Sequence, residues 1–451
     1  MVNLKKLPAS KGLEHRLKVL LVDVFTQRKL ANPRLILAFS GGLDSTVLLH
    51  LLSECRKTLS FQLFAQHVHH GLSPNADNWV DFCQQVCLKL NIPFALCKVN
   101  INKNSGLGTE ATAREARYKA LLSADADFIC LAHHQDDQAE TLLLQLARGA
   151  GVKGLAGMAA VSEKLLRPLL DVPCSHLEAY AKQHQLTWIE DESNSDTRFD
   201  RNFMRHKVLP ILEDTYPSIR QTLSRSAQHM ANASELLDEL ALIDALQAGF
   251  DTKTNSTIGL STLKNLSEAR VNNCLRWWLV QNGLQMPSQQ QLQQITQQLL
   301  HAKQDAAIEL RVSKTYTLRR YQNHAYLVHD MPLNAPINWL WQGEDVIDLP
   351  NKSQLIFSKK MGEGISLRKI ENATLHIKFR EGSERFKPQL DRPHRSLKVV
   401  LQNVDMPPWQ REQLPLIFMG DILVVIPNVG VDANLQASID EMGLVVNWID
   451  Y

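Results

Sequence analysis

A chain of 451 residues is longer than one hydrophobic core ordinarily organises, and its length implies about two to four domains. With 44% hydrophobic and 21% charged residues it is neither disordered nor fibrous in composition. A formal charge of only +2 excludes a protein that is basic all over, so any nucleic-acid contact needs a local basic surface. No apolar run is long enough to span a bilayer. The start, Met1-Val2-Asn3-Leu4-Lys5-Lys6, lacks the apolar core and small-residue cleavage site of a signal peptide. Seven cysteines, an odd number, then read as reduced thiols in the cytoplasm. Cys83 and Cys87 stand one helical turn apart among Trp79, Phe82, Val86 and Leu90, which suits buried thiols better than a metal or redox pair.

In chain order, Leu35-Ile36-Leu37-Ala38-Phe39 reads as a strand, Ser40-Gly41-Gly42 as a turn, and Val47 to Leu52 as the body of a helix. Strand-like Phe61 to Val68 follows, then a helix around Trp79 to Leu90 and a strand from Phe94 to Val99. A helix from about Glu110 to Leu122, a strand Phe128 to Leu131 and a helix through Leu142 and Leu146 complete the alternation. Such alternation predicts a doubly wound, mostly parallel sheet, with ligands beyond the carboxyl ends of the strands. From about Thr215 to Ala248 the pattern turns helical, with Leu223, Met230, Leu236, Leu237, Leu240 and Ile243 on one face. The glutamine-rich stretch Gln281 to Gln304 keeps Leu292, Ile295 and Leu299 at helical spacing and reads as an amphipathic surface helix. Strand-like runs at Ala306 to Val312 and Ala325 to Val328, a linker around Pro332 and Pro336, and a strand-and-turn domain from about Trp339 to Tyr451 follow. The predicted fold is therefore α/β, then a mainly helical domain, then a small α+β domain, with boundaries at 1–214, 215–335 and 336–451.

Three polar clusters follow predicted strand ends. In Ser40-Gly41-Gly42-Leu43-Asp44-Ser45, paired glycines allow a close backbone approach, and the first helix amides lack intrahelical acceptors. That combination suits phosphate or pyrophosphate, although no Walker lysine follows and G-x-G-x-x-G is absent. His67-Val68-His69-His70 could bind a transition metal, play a structural part or line a nucleotide pocket; alternation along a strand prevents His69 and His70 from both pointing inward without a turn. In His133-His134-Gln135-Asp136-Asp137-Gln138-Ala139-Glu140, three carboxylates share the first turns of a helix. They could cap the helix, bind Mg²⁺ beside ATP phosphates or hold a substrate ammonium. Arg114 and Arg117, Arg148, and the run Arg198 to Lys207 containing Arg201 and Arg205 supply guanidinium groups that suit phosphates, or else salt-bridged surface.

The hexapeptide resembles the SGGxDS loop of ATP pyrophosphatases, which cleave ATP between the α and β phosphates. Taken in order, SGGLDS, HVHHGL, TAREARYKAL, AHHQDDQAETLLLQLARGAG and DESNSDTRFDRNFMRHKVLP resemble the tRNA(Ile)-lysidine synthase family. Phe379 to Pro388 and Met406-Pro407-Pro408-Trp409-Gln410-Arg411 resemble its terminal domain, so the resemblance spans essentially the whole chain. One departure is a diluted basic run, His394-Arg395-Ser396-Leu397-Lys398-Val399-Val400, ahead of the Pro-Pro-Trp motif.

That resemblance implies a ligase forming a C–N bond. The O2 of the wobble cytidine in tRNA(Ile) with a CAU anticodon attacks the ATP α-phosphate; lysine then displaces AMP at C2, switching decoding from AUG to AUA. It implies ATP and Mg²⁺, a tRNA and free lysine as partners, no membrane, and it admits a homodimer. Ser40, Gly41, Gly42, Leu43, Asp44, Ser45, His67 and His133 are then the expected ATP contacts, and Asp44 and Asp137 the metal ligands. Asp136, Asp137 and Glu140 are expected to meet lysine, with Asp44, Asp137, Glu140 and Arg205 catalytic. Arg114, Arg117, Arg148, Arg201, Arg205, Arg385 and Arg411 are expected to contact tRNA or phosphate. The alternatives are a tRNA thiolase with the same loop, against which the absence of C-x-x-C counts, an amidotransferase, and an RNA-binding protein without catalysis.

Overall fold

The computed structural model describes residues 12–71, 73–100, 109–250, 252, 256–303, 306, 308–330, 338–350, 353–371, 373–404 and 406–449. The expected linker at Pro332 and Pro336 and the start Met1 to Lys6 lie outside them. The chain divides into two compact units, 1–236 and 237–451.

In the first unit, α1 (Leu13–Arg28), β1 (Arg34–Ala38), α2 (Leu43–Cys55), β2 (Gln62–His69) and α3 (Ala76–Lys89) come first. Then follow β3 (Phe94–Lys98), α4 (Thr109–Leu122), β4 (Phe128–Cys130), α5 (Gln135–Ala147), α6 (Val152–Leu155), β5 (Leu165–Leu166) and α7 (Cys174–Gln183). The short α8 (Asp200–Phe203), a π-turn at Met204–Val208, α9 (Leu209–Thr215) and the long α10 (Ile219–Gln247) lead onward. The five strands are all parallel in the order β3-β2-β1-β4-β5. Successive side chains on a strand face opposite sides, and at the central strands β1 and β4 both sides are covered, whereas β3 at the edge is largely exposed. Leu35 and Leu37 enter the core built with α1, α2 and α7, whereas Ile36 packs with Leu121 and Ile129 on the α4 side. This two-sided burial explains the uninterrupted apolar runs within β1 and β4. The strand order reverses between β1 and β4, so the loops leaving these neighbours open a crevice at the switch point. Cys83 and Cys87 are fully buried, and all seven cysteines are unbridged.

Helix α10 differs from its expected face. The buried positions are Ala227, Ala241, Asp244 and Ala245, with Ala248 just past its end, whereas Leu236, Leu237 and Ile243 are exposed. Alanines permit a close backbone approach, and Asp244 is buried because Arg270 donates to both its oxygens. Of the expected face, Leu223, Met230 and Leu240 are half-buried, so leucine spacing found the inner side only in part.

The second unit contains β6 (Thr257–Gly259), α11 (Leu260–Leu263), α12 (Glu268–Gln281), α13 (Gln289–Thr296), β7 (Glu309–Arg311), β8 (Tyr316–Tyr321) and β9 (His324–His329). Its four strands form an antiparallel sheet ordered β6-β9-β8-β7. The glutamine-rich stretch is helical at α13, started by a reciprocal Ser288–Gln291 capping box and anchored by buried Leu292, Ile295 and Leu299. The C-terminal part has a five-stranded sheet, a four-stranded sheet and a two-stranded pair around a core of its own. Two short helices, α14 (Leu397–Gln402) and α15 (Pro408–Gln413), lie among these strands.

Candidate active site

The loop after β1 is shaped by backbone geometry. Gly41 has φ of +85°, and a Cβ there would sit 2.8 Å from Ile189 Cδ1 and 2.9 Å from Cys83 Sγ, so both conformation and space require glycine. Its carbonyl accepts from Ile189 N–H at 2.9 Å, and extended Gly42 starts α2. Ser40 Oγ lies 3.0 Å from Ser45 Oγ, Ser45 Oγ donates to the Gly42 carbonyl and Thr46 Oγ1 to that of Gly41. The serine and threonine hydroxyls thus hold the loop while the helix N-terminus opens into the crevice.

His67 is buried under this loop, with Nδ1 2.9 Å from the Phe39 carbonyl and 3.6 Å from Cys83 Sγ. It buttresses the strand end. His69, two residues on and at the end of β2, lies instead within 3.3 Å of Asp77 at the start of α3. The three histidines do not converge as a metal site, which removes that reading of the cluster.

After β4, His134 caps α5. Its Nδ1 accepts from Asp136 N–H at 3.3 Å, while its own N–H donates to Asp137 Oδ2 at 2.9 Å. Its Nε2 lies 3.6 Å from both Asp44 and Asp137. The loop carboxylate and the acidic helix therefore meet through one imidazole. Burial pulls the His134 pKa down, but Asp136, Asp137 and Asp44 outweigh it and hold it up at about 8. His133 goes the other way: burial pushes it down to about 3, with Arg201, Arg167 and Arg114 nearby reinforcing the shift against Asp137. Burial raises the Asp44 pKa, with Asp137 and Asp136 reinforcing the effect.

The carboxylates are already occupied by cations. Glu140, fully buried, accepts from Arg201 Nε at 2.7 Å and from Arg205 Nε at 2.5 Å. Asp137 Oδ1 accepts from Arg201 at 2.9 Å and Arg205 at 3.1 Å. Asp136 accepts from Arg220 Nη1 at 3.1 Å and from Cys174 N–H at 3.3 Å. Helix α5 thus presents two carboxylates to α8 and the π-turn, and a third to the first turn of α10. Among these acids, Asp44 is different: its Oδ1 is buried and has no hydrogen-bond partner among the described residues.

An oxygen of that kind fits a hard divalent cation that takes its remaining oxygens from ATP phosphates. Asp137 fits less readily, since both its oxygens are engaged. Arg117 is half-buried and exposed Arg114 packs over Tyr118, their guanidinium carbons 5.9 and 5.2 Å from its ring. Arg148 pairs with Asp200 at the surface. In the second unit, exposed Arg385 donates to the His394 carbonyl, while Arg411 donates to the Met406 carbonyl and to Tyr321 Oη at 3.1 Å. Arg220 and Cys174 escaped sequence reasoning. Arg220 lies 84 positions from its partner with no motif around it, and Cys174 offered only its place at a helix start after Pro173.

A glycine-led loop facing an acidic helix across the β1/β4 switch point defines the ATP-cleaving PP-loop class of α/β proteins. A PP-loop domain model matches residues 11–212, a TilS substrate binding domain model 260–326, and a TilS substrate C-terminal domain model 375–448. The chain is 41% identical to the tRNA(Ile)-lysidine synthase of Nitrosomonas europaea, with 92% of each chain covered. It is 37% identical to that of Coxiella burnetii, over 93% of this chain and 96% of the relative. It belongs to the tRNA(Ile)-lysidine synthase family. Among solved structures, the U34-tRNA thiolase NcsA of Methanococcus maripaludis is similar at 19% identity and TM-score 0.41, covering 48% of this chain and 78% of its own.

Proposed function

We propose that this chain joins free lysine to C2 of the wobble cytidine of tRNA(Ile) with a CAU anticodon, at the cost of ATP cleaved to AMP and pyrophosphate. The observation that carries the reading is the meeting of the Ser40–Ser45 loop with α5 through His134, which lies 3.6 Å from Asp44.

In the first step cytidine O2 forms a bond to the α-phosphorus as the bond to the pyrophosphate oxygen breaks. Negative charge grows on the leaving group, where the amides of the Ser40–Ser45 loop and the N-terminus of α2 stabilise it. Asp44 would hold Mg²⁺, which when bound supplies further charge neutralisation to the phosphates. In the second step the lysine ε-amine, having lost a proton, attacks C2 and AMP leaves. Asp136, Asp137 and Glu140 are the proposed partners of the incoming lysine. Arg201 and Arg205 pair with Asp137 and Glu140; lysine would take their place and turn both guanidinium groups toward phosphate. An anticodon base splayed from its neighbours suits such a crevice. Residues 215–335 and 336–451 are proposed to bind the rest of the tRNA, and the cytoplasm is the proposed compartment. Among the described residues no helix is long and apolar enough to cross a membrane.

The test is incubation with ATP, labelled lysine and tRNA(Ile) bearing CAU. Label should enter the tRNA with one pyrophosphate per lysine. Pyrophosphate release without label in RNA would refute the ligation, and sulfur transfer from a donor would point instead to a thiolase.

A further inference from the structure

Beside the pyrophosphate loop, Asp44, His134 and Cys174 bring a carboxylate oxygen, an imidazole nitrogen and a thiol sulfur to within 4.8 Å of one another. Each comes from a different element: Asp44 from the first turn of α2, His134 from the cap of α5 and Cys174 from the start of α7. His134 is buried, Asp44 and Cys174 are partly accessible, and Asp44 Oδ1 has no partner among the described residues. The trio therefore joins an imidazole nitrogen, a carboxylate with one unpartnered oxygen and a sulfur that the proposed ligation does not use.

The donor types decide which cation fits. Mg²⁺ takes oxygen ligands in an octahedral shell, whereas thiol and imidazole select borderline-soft ions such as Zn²⁺ or Co²⁺. Three protein donors with one open position match the usual tetrahedral zinc arrangement at an accessible site. Ligand atoms in such a shell stand roughly 3.5 Å apart, so closure asks for about an ångström of side-chain movement. We propose that Asp44, His134 and Cys174 form a site for a Zn²⁺-class cation, and that its occupancy blocks the Mg²⁺-dependent use of ATP. The block follows from a shared ligand: Asp44 cannot serve a tetrahedral thiolate site and an Mg²⁺–ATP complex at once. As the metal binds, the thiol S–H bond breaks and the imidazolium loses the proton on its ligating nitrogen, both protons leaving to solvent while the ring keeps its remaining proton on the other nitrogen. His134 is also drawn from its place between Asp44 and Asp137.

The inhibition half rests on the proposed ATP-dependent ligation; the binding half does not. Titration of the purified protein with Co²⁺, without ATP or tRNA, should give a sulfur-to-cobalt charge-transfer absorption saturating at one ion per chain. Cys174→Ser should abolish that absorption while keeping the Mg²⁺-dependent rate, which also shows that the variant folds. Zn²⁺ should slow pyrophosphate release by the unaltered protein, and Cys174→Ser should need about tenfold or more Zn²⁺ for the same effect. No charge-transfer band, or one that persists in Cys174→Ser, overturns the site. A Cys174-dependent band with equal Zn²⁺ inhibition of both proteins, or none of either, overturns the block alone.

Discussion

At the scale of single residues, Asp44 combines a buried unpartnered oxygen with a place in the first turn of the loop helix. Asparagine keeps its shape and removes its charge. Asp44→Asn should lower the rate of ATP–pyrophosphate release by about 10²-fold or more, the usual effect of losing one well-placed electrostatic contact. Binding of tRNA, measured by filter retention, should stay close to normal; full activity would remove Asp44 from the mechanism. The adjacent histidines separate in a second measurement. His134, held up at about 8 by Asp136, Asp137 and Asp44 against burial, keeps its proton more tightly folded than unfolded. Its stabilisation is complete below the ordinary value of 6.5 and is lost as pH rises through about 8. His133, pushed down to about 3 by burial, stays neutral, so its contribution is present above 6.5 and lost as pH falls toward 3. NMR of ring-labelled histidine, assigned with His133→Asn and His134→Asn, should show one midpoint near 8 and one resonance unmoved between pH 5 and 9. Two ordinary midpoints would break this account of the site's electrostatics.

At the scale of elements, α5 is tied to its surroundings by charge. Asp137 and Glu140 hold α8 and the π-turn through Arg201 and Arg205; Asp136 holds the first turn of α10 through Arg220, whose other donors engage Glu213 at 2.6 and 3.0 Å. All these groups are at most partly exposed, so the contacts are screened less than surface pairs. A double-mutant cycle of Arg220→Gln and Asp136→Asn should give a coupling of about 1–3 kcal/mol in denaturant unfolding. Arg220→Gln alone should reduce kcat more than it raises the KM for ATP, because it loosens the acidic helix without touching the loop. Additive effects would reduce the pair to a surface contact. Much of this architecture was legible beforehand, because β1, β3 and β4 carry short continuous apolar runs, β2 falls in the same alternation of strand with helix, and Ser40–Ser45 and Asp136–Glu140 are local motifs. Arg220 was not, since an ion pair across 84 positions leaves no periodicity. Nor was the buried face of α10, where alanines rather than leucines pack. The bound states of Arg201 and Arg205 were hidden for a third reason: a guanidinium suits carboxylate and phosphate equally well.

At the scale of the whole molecule, a net charge of +2 leaves no general attraction for a polyanion, so tRNA affinity must come from particular cations placed on the surface. The two terminal-domain arginines singled out by sequence differ in availability. Arg385 is exposed and makes one long contact, 3.3 Å to the His394 carbonyl. Arg411 is half-buried and spends its donors on the Met406 carbonyl and Tyr321 Oη, beside a Trp409 ring that meets Tyr326 at 5.3 Å and lies under Arg319 at 5.4 Å. Trp409 and Arg411 thus fasten α15 onto β8 and β9, and the Pro-Pro-Trp motif acts first as a joint within the second unit. Each half-buried aromatic contact of this kind contributes at most about 0.5–1.5 kcal/mol beyond its area. Trp409→Ala and Arg411→Ala should therefore lower the melting temperature and speed proteolysis of that unit while leaving the salt dependence of tRNA binding unchanged. Arg385→Ala should do the reverse: unchanged melting, weaker binding, and a slope of log K against log salt reduced by about one. The comparison needs tRNA binding at several salt concentrations, below the melting point of every variant. A reduced slope for Arg411→Ala with undisturbed melting would place Arg411 on phosphate rather than in the joint.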